Sequence, residues 1–286
     1  MILLLALLLQ TADEKLDAAA RAFVDALTDE QRAELVLAYD DKRRDAEVFL
    51  PGRRPGVRIG SLDEKPRELL AKATALFLSE FGWKKCQEIA AQGEGGTRSL
   101  TDYWVTFFGT PGDGKPYAWR IAEHHLTLLH VTVEPRSPAR FGPILLGSNP
   151  GTLFTEQEAA ALAAWKSLSD EERKKGRLPG TGPSGQALKK DAGLLVGDLP
   201  EERRKLVQAM LDERLRFFSD PIRENVLKII RGNGGLERMR LAWFGDPATR
   251  AADGGKYDWK LVGDGFLCDF ESTNGHVHTT IRGQGQ

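Results

Sequence analysis

Phe107-Phe108-Gly109-Thr110-Pro111, followed by Tyr117-Ala118-Trp119-Arg120-Ile121, returns later as Trp243-Phe244-Gly245-Asp246-Pro247 followed by Tyr257-Asp258-Trp259-Lys260-Leu261. Aromatic-rich runs broken by Gly, Asp and Pro read as strands joined by turns. Two landmarks upstream repeat in the same order. Leu27-Thr28-Asp29-Glu30-Gln31-Arg32 returns as Leu168-Ser169-Asp170-Glu171-Glu172-Arg173, and Ser61-Leu62-Asp63-Glu64 as Asp198-Leu199-Pro200-Glu201. All four recur at a nearly constant offset of about 140 residues, which reads as an internal duplication.

Each unit runs helix, loop, long helix, shorter helix, then strands. Ser61 to Glu64 has the pattern of a capping box opening a helix to about Phe81, and Asp198 to Glu201 opens one to about Phe218. The expected strands are 103–108, 118–134 and 143–147 in the first unit, and 239–244, 257–271 and 276–282 in the second. Helices gathered before strands argue for an α+β fold with antiparallel sheet. The expected organisation is a signal segment over 1–12, a first α+β repeat over 13–150 and a second over 151–286. The halves are expected to pack as one pseudo-twofold body. Leu178-Pro179-Gly180-Thr181-Gly182-Pro183-Ser184-Gly185 reads as a mobile, exposed loop.

A chain of 286 residues can bury a sizeable core. Its 40 basic and 41 acidic residues leave a net charge of -1 with no basic stripe, which argues against a nucleic-acid partner. Ile2 to Leu9 is continuously apolar, and Gln10-Thr11-Ala12 then leads into charged Asp13-Glu14-Lys15. That pattern reads as a short secretory signal cleaved after Ala12, placing the mature chain in the periplasm or outside the cell. The run is too short to span a bilayer. Cys86 and Cys268 fit either one disulfide or two buried thiols.

All five histidines fall in two stretches, His124, His125 and His130 in the first and His276 and His278 in the second. Imidazole is the commonest metal ligand. His276 and His278 alternate on a strand and so share a face, which lets them chelate one ion. His124 and His125, read as strand residues, point to opposite faces, so one of them is expected to join the pair. Asp269 and Glu271 alternate just before the turn Ser272-Thr273-Asn274-Gly275, which lays them beside the His-x-His strand. Two or three imidazoles with a carboxylate suit zinc, copper or non-haem iron. Asp269 or Glu271 is then a ligand, general base or orienting partner, and Arg120 and Arg282 are anion-binding candidates. His130, among Leu128, Leu129 and Val131, reads as a hydrogen-bonded core residue. Trp119, Trp259, Trp104 and Trp243 read as core anchors. Gly-x-x-x-x-Gly-Lys followed by Ser or Thr, the Gly-x-Ser-x-Gly elbow and His-Glu-x-x-His are all missing; Gly109 to Lys115 has the spacing of the first, but Pro116 follows it.

Taken in order, several of these elements resemble the bacterial Domain of Unknown Function 3500 family. They are Leu27 to Arg32, Arg54-Pro55-Gly56, Tyr103-Trp104-Val105-Thr106-Phe107-Phe108-Gly109-Thr110-Pro111, Trp119-Arg120, His124-His125-Leu126, and His276-Val277-His278-Thr279 before Arg282. The resemblance spans nearly the whole chain and implies that His124, His125, His276 and His278 are the family's signature histidines. It implies no activity. The chain departs from the family's pattern at Glu123, where a Gly precedes the His-His-Leu segment, at Ile281 and at His130, where the family is usually aromatic. The sequence therefore points to an exported metalloprotein, a metal-dependent oxidoreductase or hydrolase with a histidine-rich site between the repeats. The competing expectations are a non-catalytic extracytoplasmic module that binds a small molecule or peptide, and a structural protein whose histidines staple hairpins.

Overall fold

The computed structural model describes residues 12–93, 97–134, 137–182, 184–189, 191–245, 247–250 and 253–286. The apolar run of the expected signal segment, Asp246 of the second turn and Pro183 lie outside the described residues. Among the described residues no helix is long and apolar enough to cross a membrane.

The fold is α+β, as its order of elements dictates. The first half contains α1 (Ala12–Asp25), α2 (Asp29–Leu35), β1 (Val36–Leu37), β2 (Val57–Arg58), α3 (Glu64–Phe77) and α4 (Glu80–Ala91). Its strands are β3 (Trp104–Phe108), β4 (Ala118–Glu123), β5 (Leu126–Val131) and β6 (Arg140–Ser148). The second half runs α5 (Thr155–Ser167), α6 (Asp170–Gly176), β7 (Arg177–Leu178), β8 (Leu194–Leu195), α7 (Glu201–Leu215) and α8 (Asp220–Gly232). It finishes with β9 (Arg240–Gly245), β10 (Tyr257–Gly263), β11 (Phe266–Thr273) and β12 (His276–Gln284).

Among the described residues one sheet holds all twelve strands in the order β1-β3-β4-β5-β6-β12-β11-β10-β9-β7, with β2 on β3 and β8 on β9. The order reads outward from the central antiparallel β6–β12 pair in the same way on both sides. The pairing is antiparallel except for the short outer strands β1 and β7, which run parallel to β3 and β9.

Local chemistry explains the helix starts. Thr28 and Ser169, at matching landmarks, each close a capping box, with Gln31 and Glu172 as reciprocal partners. The capping box expected at Ser61 does not form: Ser61 Oγ instead donates to the Arg58 carbonyl at 2.8 Å. The long helices also stop short of the expected Phe81 and Phe218, because each breaks to make a cross-contact with the other half. Leu78 bridges Phe218, Ser79 N donates to the Phe217 carbonyl and Ser219 N to the Phe77 carbonyl, both at 3.1 Å. Ser79 then caps α4 through Gly82 N.

The two sheet faces differ. Trp119, Ile121, Leu128, Ile144, Trp243, Trp259, Phe270 and Ile281 are buried against the helices in the main core. Arg120, Thr127, Lys260, Asp269 and Thr280 are polar yet buried on the opposite face, where loops from both halves cover them. Gly182, Ser184 and Gly185 are part of that cover, which corrects the reading of this end of the loop as exposed, while Pro179, Gly180 and Thr181 are exposed as expected. Gly182 N donates to Asp258 at 2.8 Å and Gly185 N to Asp269 at 2.7 Å. Cys86 and Cys268 are free, buried thiols, and burial pushes the Cys268 thiol up to about 12.

Candidate metal centre

Two expected strands are each divided by a tight turn, and that division builds the site. The 118–134 strand breaks at His124-His125, between β4 and β5, where Glu123 pairs with Leu126. The 257–271 strand breaks likewise at Asp264-Gly265. His124 and His125 are therefore turn residues rather than alternating strand residues. His125 has φ +63, a left-handed conformation that L residues rarely adopt. Hydrogen bonds lock the turn: the His124 carbonyl accepts from Tyr103 Oη at 2.9 Å, and the His125 carbonyl from Gly147 N at 2.7 Å.

This geometry turns the His125 ring over the polar face towards β12. His125 Nε2 lies 2.6 Å from His276 Nε2. The ring centroids of His125 and His278 are 5.3 Å apart, and those of His276 and His278 are 4.6 Å apart. One nitrogen from each of His125, His276 and His278 falls within 4.8 Å of the others. The cluster could hold a metal ion. Bonds of about 2.0–2.1 Å to a tetrahedral ion would set the nitrogens about 3.3 Å apart. The 2.6 Å contact is shorter than that spacing, so one ring must move to admit an ion.

Each of the three imidazoles has a distinct support. Asn274 and Gly275, with φ of +53 and +75, form the hairpin turn that starts β12 at His276. His278 pairs across the sheet with Glu271 on one side and Gly147 on the other. Glu271 Oε2 lies 3.7 Å from His278 Nδ1, an electrostatic contact longer than a hydrogen bond. His278 Nε2 is buried without a hydrogen-bond partner, and Phe49 packs edge-on against the ring at 5.0 Å. A carboxylate behind one imidazole nitrogen, with the other nitrogen open, is the arrangement that orients histidine ligands.

The electrostatics match. Burial, helped by the neighbouring imidazoles, lowers the His125 pKa to about 3, and burial also lowers those of His276 and His124. These rings are neutral near pH 7, with lone pairs available. The His278 contact holds the Glu271 carboxyl below its ordinary value.

The other candidates are placed differently. His124 is half-buried, its ring centroid 3.8 Å from that of His125, and it is not among the three converging nitrogens. Asp269 is 1% exposed and forms an ion pair at 2.9 Å with Lys260, which is 2% exposed. It also accepts from Gly185 N, Thr280 N and Ser184 Oγ, so its oxygens serve the sheet and the covering loop. Arg120 is buried, and its guanidinium donates to the carbonyls of Arg43 and Ala46. It pins a loop rather than facing the histidines. Arg282 likewise donates to the Gly185 carbonyl at 2.6 Å.

Sequence reasoning missed Gly147. A Cβ there would lie 2.7 Å from His125 Cγ and Cδ2 and 2.9 Å from its Cβ, so the missing side chain is the space the His125 ring occupies. The signal was present, since an isolated glycine in an apolar strand marks a close approach. Phe49, on an irregular loop, carried no such signal.

Comparison with known proteins gives the chain's relationship. The model of a family described as "Protein of unknown function (DUF3500)" matches residues 10–285, essentially the whole chain. No curated protein and no solved structure matches.

Proposed function

We propose, for a chain that belongs to the DUF3500 family, an exported protein that binds one divalent transition metal ion (zinc, copper or iron) through His125, His276 and His278. The observation that carries this reading is the convergence of three imidazole nitrogens within 4.8 Å from two distant segments. Gly147 supports it by leaving the space that convergence needs. Three protein ligands leave a fourth position for water or substrate, the pattern of catalytic rather than structural sites. A bound ion of this class supplies either an activated water for hydrolysis or a redox centre for oxidation. The chain's own residues bind and orient: Glu271 fixes the His278 ring, the two carbonyl hydrogen bonds fix the His125 turn, and Phe49 shields one side of His278 from water.

Metal analysis of protein purified without a histidine tag tests the reading. One ion per chain is expected, lost when His276→Ala and His278→Ala are combined. Unchanged metal content in that double variant ends the proposal. Export rests on the apolar Ile2–Leu9 run before Gln10-Thr11-Ala12. N-terminal sequencing of the mature protein should begin at Asp13, and an intact Met1 start in the cytosolic fraction would contradict it.

A further inference from the structure

Side-chain size differs between the halves where α3 and α7 pack on the sheet. Counted back from the helix caps Ser79 and Ser219, Ala71 and Thr74 of α3 correspond to Leu211 and Arg214 of α7. The larger pair, Leu211 and Arg214, is buried. Beside the smaller pair lies a cavity of about 180 Å³. An apolar cavity of about 150 Å³ is enough to take up benzene.

The floor of this cavity is buried and apolar. Ile59, Leu70, Cys86, Ile121 and Leu128 form it, and all five belong to the main core. Thr74, the polar residue among them, already donates its hydroxyl to the Leu70 carbonyl at 2.8 Å. Ile121 and Leu128 pair across β4–β5 on the helix side of the sheet, away from the polar face that carries the histidine cluster. The mouth is different. Trp83 lines it half-buried, and Arg67 lines it exposed, one helical turn before Ala71. Arg58 and Arg98, on nearby segments, are held by Asp102 and Glu123. Among the described residues Arg67 has no ion pair and no side-chain hydrogen bond.

We propose that this cavity is a second binding site, separate from the histidine cluster, for a monocarboxylic acid with a compact apolar tail. The tail fills the space beside Ala71 and Thr74, and the carboxylate pairs with Arg67 at the mouth. A guanidinium presents paired N–H donors that match a carboxylate, and an apolar floor favours a hydrocarbon group removed from water. A phosphate or a sugar would bury polar groups against that floor without partners, which is costly.

Calorimetric titration of the purified protein with 4-phenylbutyrate, and with its neutral counterpart 4-phenylbutan-1-ol, tests this. One molecule of the acid should bind per chain, more tightly than the alcohol. Arg67→Gln, at an exposed position, should weaken the acid about fivefold and leave the alcohol unchanged. Ala71→Leu, which places the second half's larger side chain at the mouth, should abolish binding of both. Binding of the acid should persist when His276→Ala and His278→Ala are combined, so this test succeeds or fails independently of the metal reading. No binding of the acid to the unaltered protein, an equal response of acid and alcohol to Arg67→Gln, undiminished binding in Ala71→Leu, or loss of binding in the double histidine variant overturns the proposal.

Discussion

The turns at His124-His125 and Asp264-Gly265 occupy the same place in the two halves, and their second residues share one backbone conformation. φ is +63 at His125 and +64 at Gly265. Glycine takes that conformation freely, and a Cβ at position 265 would lie 2.3 Å from the Gln284 carbonyl oxygen. Histidine is held there at a cost of roughly 1–2 kcal/mol. Strain of this kind persists where surroundings over-determine it, and it gathers at functional sites. A second contrast lies beside it. Lys260 pairs with the carboxylate of Asp269 across β10–β11, whereas Arg120, in the equivalent position, faces Leu129 and reaches loop carbonyls instead. The second half carries its own buried charge balance, and the first half depends on its covering loop.

The largest effect should come from that buried pair. Asp269→Ala removes the carboxylate half of a buried ion pair and should lower the unfolding free energy by about 3–5 kcal/mol in chemical denaturation. Arg120→Met leaves only carbonyls unpaired and should cost about 1–3 kcal/mol. Equal losses would erase the distinction between the halves. Next comes Glu271→Gln, which keeps the shape but removes the charge behind His278. It should weaken metal affinity about 10–100-fold in chelator competition, with little change in stability. An unaltered affinity would leave Glu271 with no orienting role.

His130 stands across from Trp119 as Phe270 stands across from Trp259. Its Nε2 is buried and has no hydrogen-bond partner, which corrects the expectation of a hydrogen-bonded core histidine. The pair His130 and Phe270 gives a pH test. The His130 pKa is lowered from 6.5 to about 4 in the folded chain. Between those values the unfolded chain takes up a proton that the folded chain refuses, so stability falls as pH falls. The slope is about 1.4 kcal/mol per pH unit for one such group. Above pH 6.5 neither state is protonated and the contribution is flat. His130→Phe makes the first half resemble the second and should reduce the acid slope over that window. A denaturation series from pH 7 to 4 with superimposable curves would refute it. The smallest effect concerns the turn itself. His125→Gly and His125→Ala should both lose the metal, but the glycine variant should be about 1 kcal/mol more stable, because only the backbone conformation separates them.

Much of the site was legible before the fold. His276 and His278 share a face because strand residues alternate, and Glu271 falls opposite His278 because the Asn274-Gly275 turn sets the register. The partner from the first segment was legible only as one of two. The two form a turn that splits a long apolar run and sends only the His125 ring to the cluster, and periodicity does not locate such a break when the turn residues are histidines rather than Asn and Gly. Arg120 and Asp269 looked like site residues because charge in a strand suggests chemistry. Their actual partners lie on loops and neighbouring strands far away in sequence.

The sequence by itself determined that helices precede the main strands in each half, the repeated succession of landmarks and the residue types able to hold a metal. These follow from local rules: capping, turn chemistry and alternation act over a few residues. Only the tertiary structure decided that β6 and β12 pair at the centre of one sheet, and that Gly147 therefore sits under His125. Those outcomes depend on which strands compete for the same neighbour, a long-range choice made by packing and twist rather than by any short stretch of chain.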